Sequence, residues 1–328
     1  MTPDHGARGE ARLIALDWGT SSLRAYLLGD AGVVLDRRAE PLGILNVTDR
    51  DFASVFAAVT EEWRRANPGI PALASGMIGS AQGWVEAAYV DVPADLDAVA
   101  RGLVTVPGTT LRLVPGLAQR GASPDVMRGE ETQIFGALAQ RSELGGRATL
   151  VMPGTHSKWV RLAEGGIAGF TTYMTGELFA VLRAHSILGR LASPDTRPIG
   201  EAAEAAFTRG VHHAGGASQG LATLLFSARS AVLVGDLSSD DSLEYLSGLL
   251  IGDEVRAGLA DEKRPDAIIG EPALCARYAM ALATFGVHDV PIVGDAAAAG
   301  LWSIASLATP TLQRGEGSSR RSVSGRSN

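Results

Sequence analysis

Residues 13–28 read LIALDWGTSSLRAYLL. Two apolar runs flank a tip made of Gly19 and three hydroxyls, Thr20, Ser21 and Ser22, with an acid, Asp17, just before it. Short apolar runs bounded by a glycine turn predict two strands joined by a hairpin. A hydrophobic core has no use for a carboxylate and three hydroxyls at one tip, whereas an anionic ligand does. Glycine turns tightly and lets a ligand approach the main chain. Backbone N–H groups and hydroxyls at such a turn can hold phosphate oxygens. Asp17 at the strand end could position a hydrated Mg²⁺, which keeps several waters and uses few carboxylates.

The pattern returns. Residues 148–163 read ATLVMPGTHSKWVRLA, and Gly154-Thr155 stands 135 residues after Gly19-Thr20. Each copy runs strand, Gly-Thr tip, small hydroxyl two residues on, strand. Self-similarity at a spacing close to one domain's length points to duplication, and two such tips could grip a polyphosphate from both sides. The copies differ in one respect: Met152 stands where the first has Asp17, so only the first hairpin offers a carboxylate. Taken singly, either tip also reads as an ordinary turn with local hydroxyl hydrogen bonds.

The chain around these hairpins suits an α/β enzyme. Its 328 residues suggest about two domains. With 46% hydrophobic and 20% charged residues it can bury a core. The net charge of −7, from 36 acids and 29 bases, builds no basic stripe, so nucleic acid is not an expected partner. A single cysteine, Cys275, rules out an intrachain disulfide and suggests a reducing compartment. The polar N-terminus has no signal-peptide core, and no apolar run of about 20 residues occurs, so a cytoplasmic chain without membrane contact is expected.

Strands are expected over 12–17, 22–28 and 32–36, and a helix over 51–66 with Phe52, Val55, Phe56, Val59 and Trp63 on one face. PALASGMIG reads as a buried strand entering a glycine-rich loop. Residues 130–141 read as a helix with Ile134, Phe135 and Leu138 on its apolar side. After the second hairpin come a helical region over 177–229, a helix near 242–260, the strand DAIIG, a helix over 272–285, the strand VPIVG and an Ala-rich helix over 295–306. Residues 1–10 form a loose arm, and the Gly/Ser/Arg-rich stretch 309–328 a disordered tail. Walker-A, dinucleotide-fingerprint and zinc signatures are absent. The adjacent His212 and His213 point to different sides and read as structural or surface residues.

Six blocks in order, ALDWGTSSLRAYL, ASGMIGSAQGWVEAAYV, VMRGEETQIFGAL, VMPGTHSKWV, TGELFAVLRAHSILGRL and IIGEPALCARYAMAL, resemble the 2-dehydro-3-deoxygalactonokinase family from about residue 12 to 306. That resemblance implies the α/β actin-like ATPase (sugar kinase) fold, with two ribonuclease-H-like domains, 11–142 and 147–308, and a nucleotide cleft between them. It implies an ATP- and Mg²⁺-dependent phosphorylation of the 6-hydroxyl of 2-dehydro-3-deoxy-D-galactonate. The partners would be a small sugar acid and ATP, with the oligomeric state open and a homodimer one option. A same-fold kinase for another sugar acid or polyol, and a nucleotide-binding ATPase regulator, are the alternatives.

Carried onto this sequence, the resemblance gives Asp17, Gly19, Thr20 and Ser21 to the first phosphate motif, with Asp17 as the metal-orienting acid. It gives Gly154, Thr155 and His156 to the second phosphate motif, and Gly270 with Glu271 to the adenosine motif. The catalytic base, which accepts the sugar hydroxyl's proton, falls on Glu130, with Glu131 as second choice because the register is uncertain by one residue. Both acids also suit a helix's first turn without any catalytic part. Arg128 is the expected partner of the substrate carboxylate, and Arg24 could approach phosphate. Ser75, Met77, Ser80 and Trp84 form the expected sugar loop, with a core-edge position the other reading of Trp84. Thr175-Gly176-Glu177 and His185 lie in a family-specific block, and His185 reads equally as a core histidine.

Overall fold

The computed structural model describes residues 9–191, 200–261, 264–309 and 312. Contacts divide the chain into two compact units. The first holds the chain up to Gly146, Ala163–Gly169 and the chain from Asp295 onward; the second holds Arg147–Leu162 and Phe170–Gly294.

In the first unit, β1 (Leu13–Trp18), β2 (Leu23–Leu28) and β3 (Val34–Glu40) form an antiparallel meander. The third strand starts later than expected because Asp30–Gly32 forms a tight turn with Ala31 and Gly32 at positive φ. β4 (Ala72–Ser75), β5 (Val104–Thr105) and β6 (Leu111–Leu113) complete a six-stranded sheet in the order β3-β2-β1-β4-β6-β5, with β1, β4 and β6 parallel. Helix α1 (Phe52–Ala66) starts where the Asp51 carboxylate accepts the Ser54 N–H at 3.0 Å. It buries Phe52, Phe56, Val59 and Trp63 against the sheet, with Val55 partly buried beside them. α2 (Glu130–Gln140) closes this part of the unit.

In the second unit, β7 (Ala148–Met152), β8 (Ser157–Ala163), β9 (Gly166–Tyr173), β10 (Ala267–Ile269) and β11 (Ile292–Val293) pair in the order β9-β8-β7-β10-β11. Each Gly-Thr hairpin therefore has the same setting: its first strand lies between its own second strand and a later parallel strand. The duplication read from two Gly-Thr pairs extends to strand order. The region expected to be helical over 177–229 consists of α3 (Thr175–His185), α4 (Glu201–Gly216) and two short helices, Leu221–Leu225 and Ser227–Leu233. α5 (Ser242–Asp261) and α6 (Pro272–Thr284) follow.

The last helix, α7 (Ala297–Ala308), departs from the expected boundary. The sequence reading placed all of 147–308 in one domain, but this helix belongs to the first unit. Two glycines explain it: a Cβ on Gly136 would lie 1.9 Å from the Ala296 carbonyl oxygen, and one on Gly300 1.8 Å from that of Thr132. The α2 and α7 backbones thus touch at a distance no larger residue permits, and Leu301 and Ile304 are buried there. The β8–β9 turn also joins the first unit, where Ile167 and Ala94 exchange backbone hydrogen bonds of 3.0 and 2.8 Å.

The start of the expected tail is packed: Arg112 Nη2 donates to Thr309 Oγ1 at 2.5 Å, and Leu312 is buried. The rest of the tail, and most of the N-terminal arm, lie outside the described residues. No described helix is long and apolar enough to cross a membrane.

Candidate active site

Parallel pairing aligns Asp17, near the end of β1, with Ser75 at the end of β4. Two glycines draw the next segment onto these ends. Gly76 has φ +93, and a Cβ on it would sit 2.7 Å from the Trp18 carbonyl oxygen; Gly129, at φ +108 before α2, would place a Cβ 3.3 Å from Gly76 Cα. The carboxyl ends of β1 and β4 and the start of α2 therefore meet. Open α/β sheets bind ligands at such strand ends.

The side chain of Asp17 is only 14% exposed and is ion-paired with Arg24, its cross-strand neighbour. Burial raises its carboxyl above the usual range, with Arg24 opposing. Arg24 also lies 3.7 Å from Asp295, which accepts the Tyr26 hydroxyl at 2.8 Å and the Ala297 N–H at 3.3 Å. Asp295 was not foreseen; its only sequence signal is an acid between the strand VPIVG and an Ala-rich helix. Among the described residues no three His, Cys, Asp or Glu side chains gather as a metal cluster.

The first tip is held from behind. Ile44 and Leu45 N–H donate to the carbonyls of Gly19 and Thr20 at 3.0 and 3.1 Å, and Asn46 Nδ2 to that of Ser21 at 3.0 Å. Thr20 and Ser21 remain exposed.

The loop after β4 is pinned by two arginines. Arg50 Nη2 donates to the Gly83 carbonyl at 2.9 Å and Arg128 Nη2 to that of Ala87 at 2.7 Å. Arg128 lies 4.4 Å over the Tyr89 ring, and its Nε and Nη1 are buried without a protein partner. Only its Nη2 is thus engaged by the loop carbonyl. Ser75 is buried with its hydroxyl unpartnered. Ser80 donates to the Met77 carbonyl at 2.7 Å, and Met77 packs on the core. Trp84 is partly buried against the core, its ring tilted 56° to that of Phe56 with centroids 6.0 Å apart.

Adjacent helix positions separate the two candidate bases. Glu131 is 0% exposed; it accepts the Gly129 N–H at 2.7 Å and the Thr132 hydroxyl at 3.1 Å. Burial, helped by the Glu130 charge, pushes its carboxyl up to about 8, so it carries a proton at neutral pH. Its place was legible, because residues three, four and seven positions on are Ile134, Phe135 and Leu138, the apolar stripe. Glu130 is only partly buried and accepts the Arg128 N–H at 3.0 Å.

In the second unit, Thr155 and His156 are exposed at the tip between β7 and β8. The start of α3 lies on this tip: a Cβ on Gly176 would be 2.5 Å from the Gly154 carbonyl oxygen, and Glu177 N–H donates to that of Thr155 at 2.9 Å. His156, expected toward phosphate, pairs with Glu177. Gly270, at φ +152, ends β10. Glu271 accepts the Ala273 and Leu274 N–H groups at 3.1 and 2.9 Å, which holds its carboxyl below the usual range. It serves as the cap of α6. His185 is exposed, so it is not a core histidine. His213 bonds Tyr245 at 2.5 Å, in keeping with a structural part. A second buried acid, Glu254, was not foreseen; its signal is a carboxylate inside the apolar run of α5.

Residues 17–304 match the model of a family described as 2-keto-3-deoxy-galactonokinase. A protein of Escherichia coli (strain K12) named 2-dehydro-3-deoxygalactonokinase is 37% identical over 301 residues, 90% of this chain and 98% of that protein. A Rhizobium meliloti (strain 1021) protein provisionally given the same name is 40% identical over 295 residues, 86% of this chain and 92% of that one. A crystal structure from Sinorhizobium meliloti, provisionally named likewise, superposes with a TM-score of 0.83 at 37% identity, covering 91% of this chain and 99% of that one. The chain shares the fold of that crystal structure, a mixed α/β fold with several sheets.

Proposed function

Because the chain belongs to the 2-keto-3-deoxy-galactonokinase family, we propose that it transfers the terminal phosphoryl group of ATP to the 6-hydroxyl of 2-dehydro-3-deoxy-D-galactonate, giving the 6-phosphate in galactonate catabolism. It is a phosphotransferase with an alcohol as acceptor. The observation that supports the assignment of residues is the meeting of the β1 and β4 ends with the start of α2, where Glu130 is the accessible carboxylate of its pair.

Phosphoryl transfer asks mainly for positioning and charge stabilisation. In this reading Glu130 accepts the proton of the attacking 6-hydroxyl. Glu131 stays neutral and fixes the first turn of α2 through Gly129 and Thr132. Ser75 offers its unpartnered hydroxyl to the sugar acid, while Arg50 and Arg128 hold the loop around it. The Thr20–Ser21 tip and the Gly154–Thr155 tip are each suited to phosphate oxygens, and Gly270 would give a nucleoside close access to the backbone. Asp17 near the end of β1 and Asp295 before α7 fit Mg²⁺, which takes one or two carboxylates and completes its shell with water and phosphate. Asp17 and Asp295 would hold it, and it would neutralise phosphate charge. Arg24, already between these acids, adds a fixed positive charge.

The test is a coupled assay for ADP with the purified chain, ATP, Mg²⁺ and a panel of C5 and C6 sugar acids and neutral polyols. Preferred turnover of 2-dehydro-3-deoxygalactonate is expected. Preferred turnover of a neutral polyol, or rapid ATP hydrolysis without any sugar, overturns the reading.

A further inference from the structure

Glu254 lies on α5, 2% exposed, in the core of the second unit. Its Oε1 accepts the Trp159 indole N–H at 3.0 Å. Its Oε2 accepts the Tyr278 hydroxyl at 2.6 Å and the hydroxyl of Thr175. An ionised carboxylate only accepts and an indole only donates, so one carboxylate satisfies all three donors at once. The direction of the next bond follows. The Tyr278 hydroxyl hydrogen is committed to the bond to Glu254, so Ser157, 2.8 Å away, donates to the Tyr278 oxygen and leaves its own oxygen facing the Gly154 N–H at 3.4 Å. A directed chain runs from the Gly154 amide through Ser157 and Tyr278 to the acid.

The elements joined in this way are those assigned to ATP. Ser157 and Trp159 belong to the second hairpin. Thr175 opens α3, whose next residue, Gly176, lies on Gly154 and Thr155 with no room for a side chain. Tyr278 is on α6, which starts beside Gly270. Burying a carboxylate costs several kcal/mol unless it is fully hydrogen-bonded, and this one touches neither the solvent nor the tip itself. Burial raises its carboxyl to about 7 even though Thr175, Tyr278, Trp159 and Ser157 all favour the charged form. A purely structural site would be served by apolar packing.

We infer that Glu254 is a positioning residue for ATP, fixing the Gly154–Thr155 tip, the start of α3 and the helix after Gly270 relative to one another. The inference rests on reading that tip as a phosphate hairpin.

The experiment measures ATP affinity by calorimetry, and KM for ATP and for the sugar acid, on the full chain and on Glu254→Gln, Thr175→Val, Thr175→Ser and Tyr278→Phe, with thermal melting alongside. Glu254→Gln and Thr175→Val should weaken ATP about tenfold or more, the loss of a hydrogen bond to a charged group, and leave KM for the sugar acid within about twofold. Thr175→Ser, which keeps the hydroxyl, should restore most of the affinity. If Glu254→Gln does not fold, the two Thr175 variants and Tyr278→Phe decide. Unchanged ATP affinity in folded variants, an equal rise in both KM values, or Thr175→Ser no better than Thr175→Val overturns the inference. Thr155→Val separates the premises: if it leaves ATP affinity intact, the hairpin reading falls. Loss of ATP affinity in Thr155→Val but not in the Glu254 and Thr175 variants sinks the inference alone, and wild-type turnover tests the activity independently.

Discussion

Replacing Glu131 by Gln should stabilise the protein, by more as pH rises, and spare catalysis. The carboxyl is raised from 4.5 to about 8, chiefly by burial. Between these values the unfolded chain has released its proton while the folded chain keeps it. The contribution of this group to stability is therefore greatest below about pH 4.5 and is lost as pH climbs to about 8. The loss runs at about 1.4 kcal/mol per pH unit, a ceiling of about 5 kcal/mol across the window. Gln has the shape of the protonated acid, can accept the Gly129 N–H and can face the Thr132 hydroxyl, and it never ionises. Even about 2 kcal/mol of that ceiling would raise Tm by about 5 °C. The assay is thermal melting of both proteins from pH 5.5 to 8.5, together with kcat. Glu254 contributes the same slope to both, so it cancels in the difference. Melting curves that stay parallel across pH, a less stable variant at pH 8, or a collapse of kcat would each refute the reasoning.

Glu130→Gln should lower kcat by about 10² to 10⁴ with ATP affinity little changed, measured by steady-state kinetics and calorimetry. Asp295→Asn should raise the Mg²⁺ concentration needed for half-maximal rate, and Asp17→Asn should do so more; a flat response over a Mg²⁺ titration removes either acid from the site. Gly300→Ala should cost at least about 2 kcal/mol in denaturant unfolding, because a Cβ 1.8 Å from the Thr132 carbonyl oxygen forces α2 and α7 apart.

Much of the first unit was legible because its signals are local. Alternation across the Gly19-Thr20 tip marks β1 and β2, and the spacing of Phe52, Phe56 and Val59 marks α1. The repeat of Gly-Thr after 135 residues pointed to duplication, and in the structure each hairpin's first strand has the same neighbours. Partners that meet through space were less legible. Arg128, Trp84, His156 and Glu271 were read by residue type, as a cation, an aromatic, a ligand and an acid, and each is engaged by a neighbour: the Ala87 carbonyl, Phe56, Glu177 and the α6 amides. Residue type says what a side chain can bond; the competition among partners decides what it does.

By itself the sequence determined the alternating strands and helices, the duplicated hairpin and the family. It also marked Glu131 as the more buried acid of the pair, since Ile134, Phe135 and Leu138 stand three, four and seven positions after it. Tertiary structure alone decided what depends on approach through space. It brought Asp295 to Arg24 from the far end of the chain, returned α7 to the first unit across a glycine contact, and buried Glu254 among donors from three separate elements. Such placements follow from the packing of whole elements, and no local window of sequence carries the distance between residues that lie hundreds of positions apart.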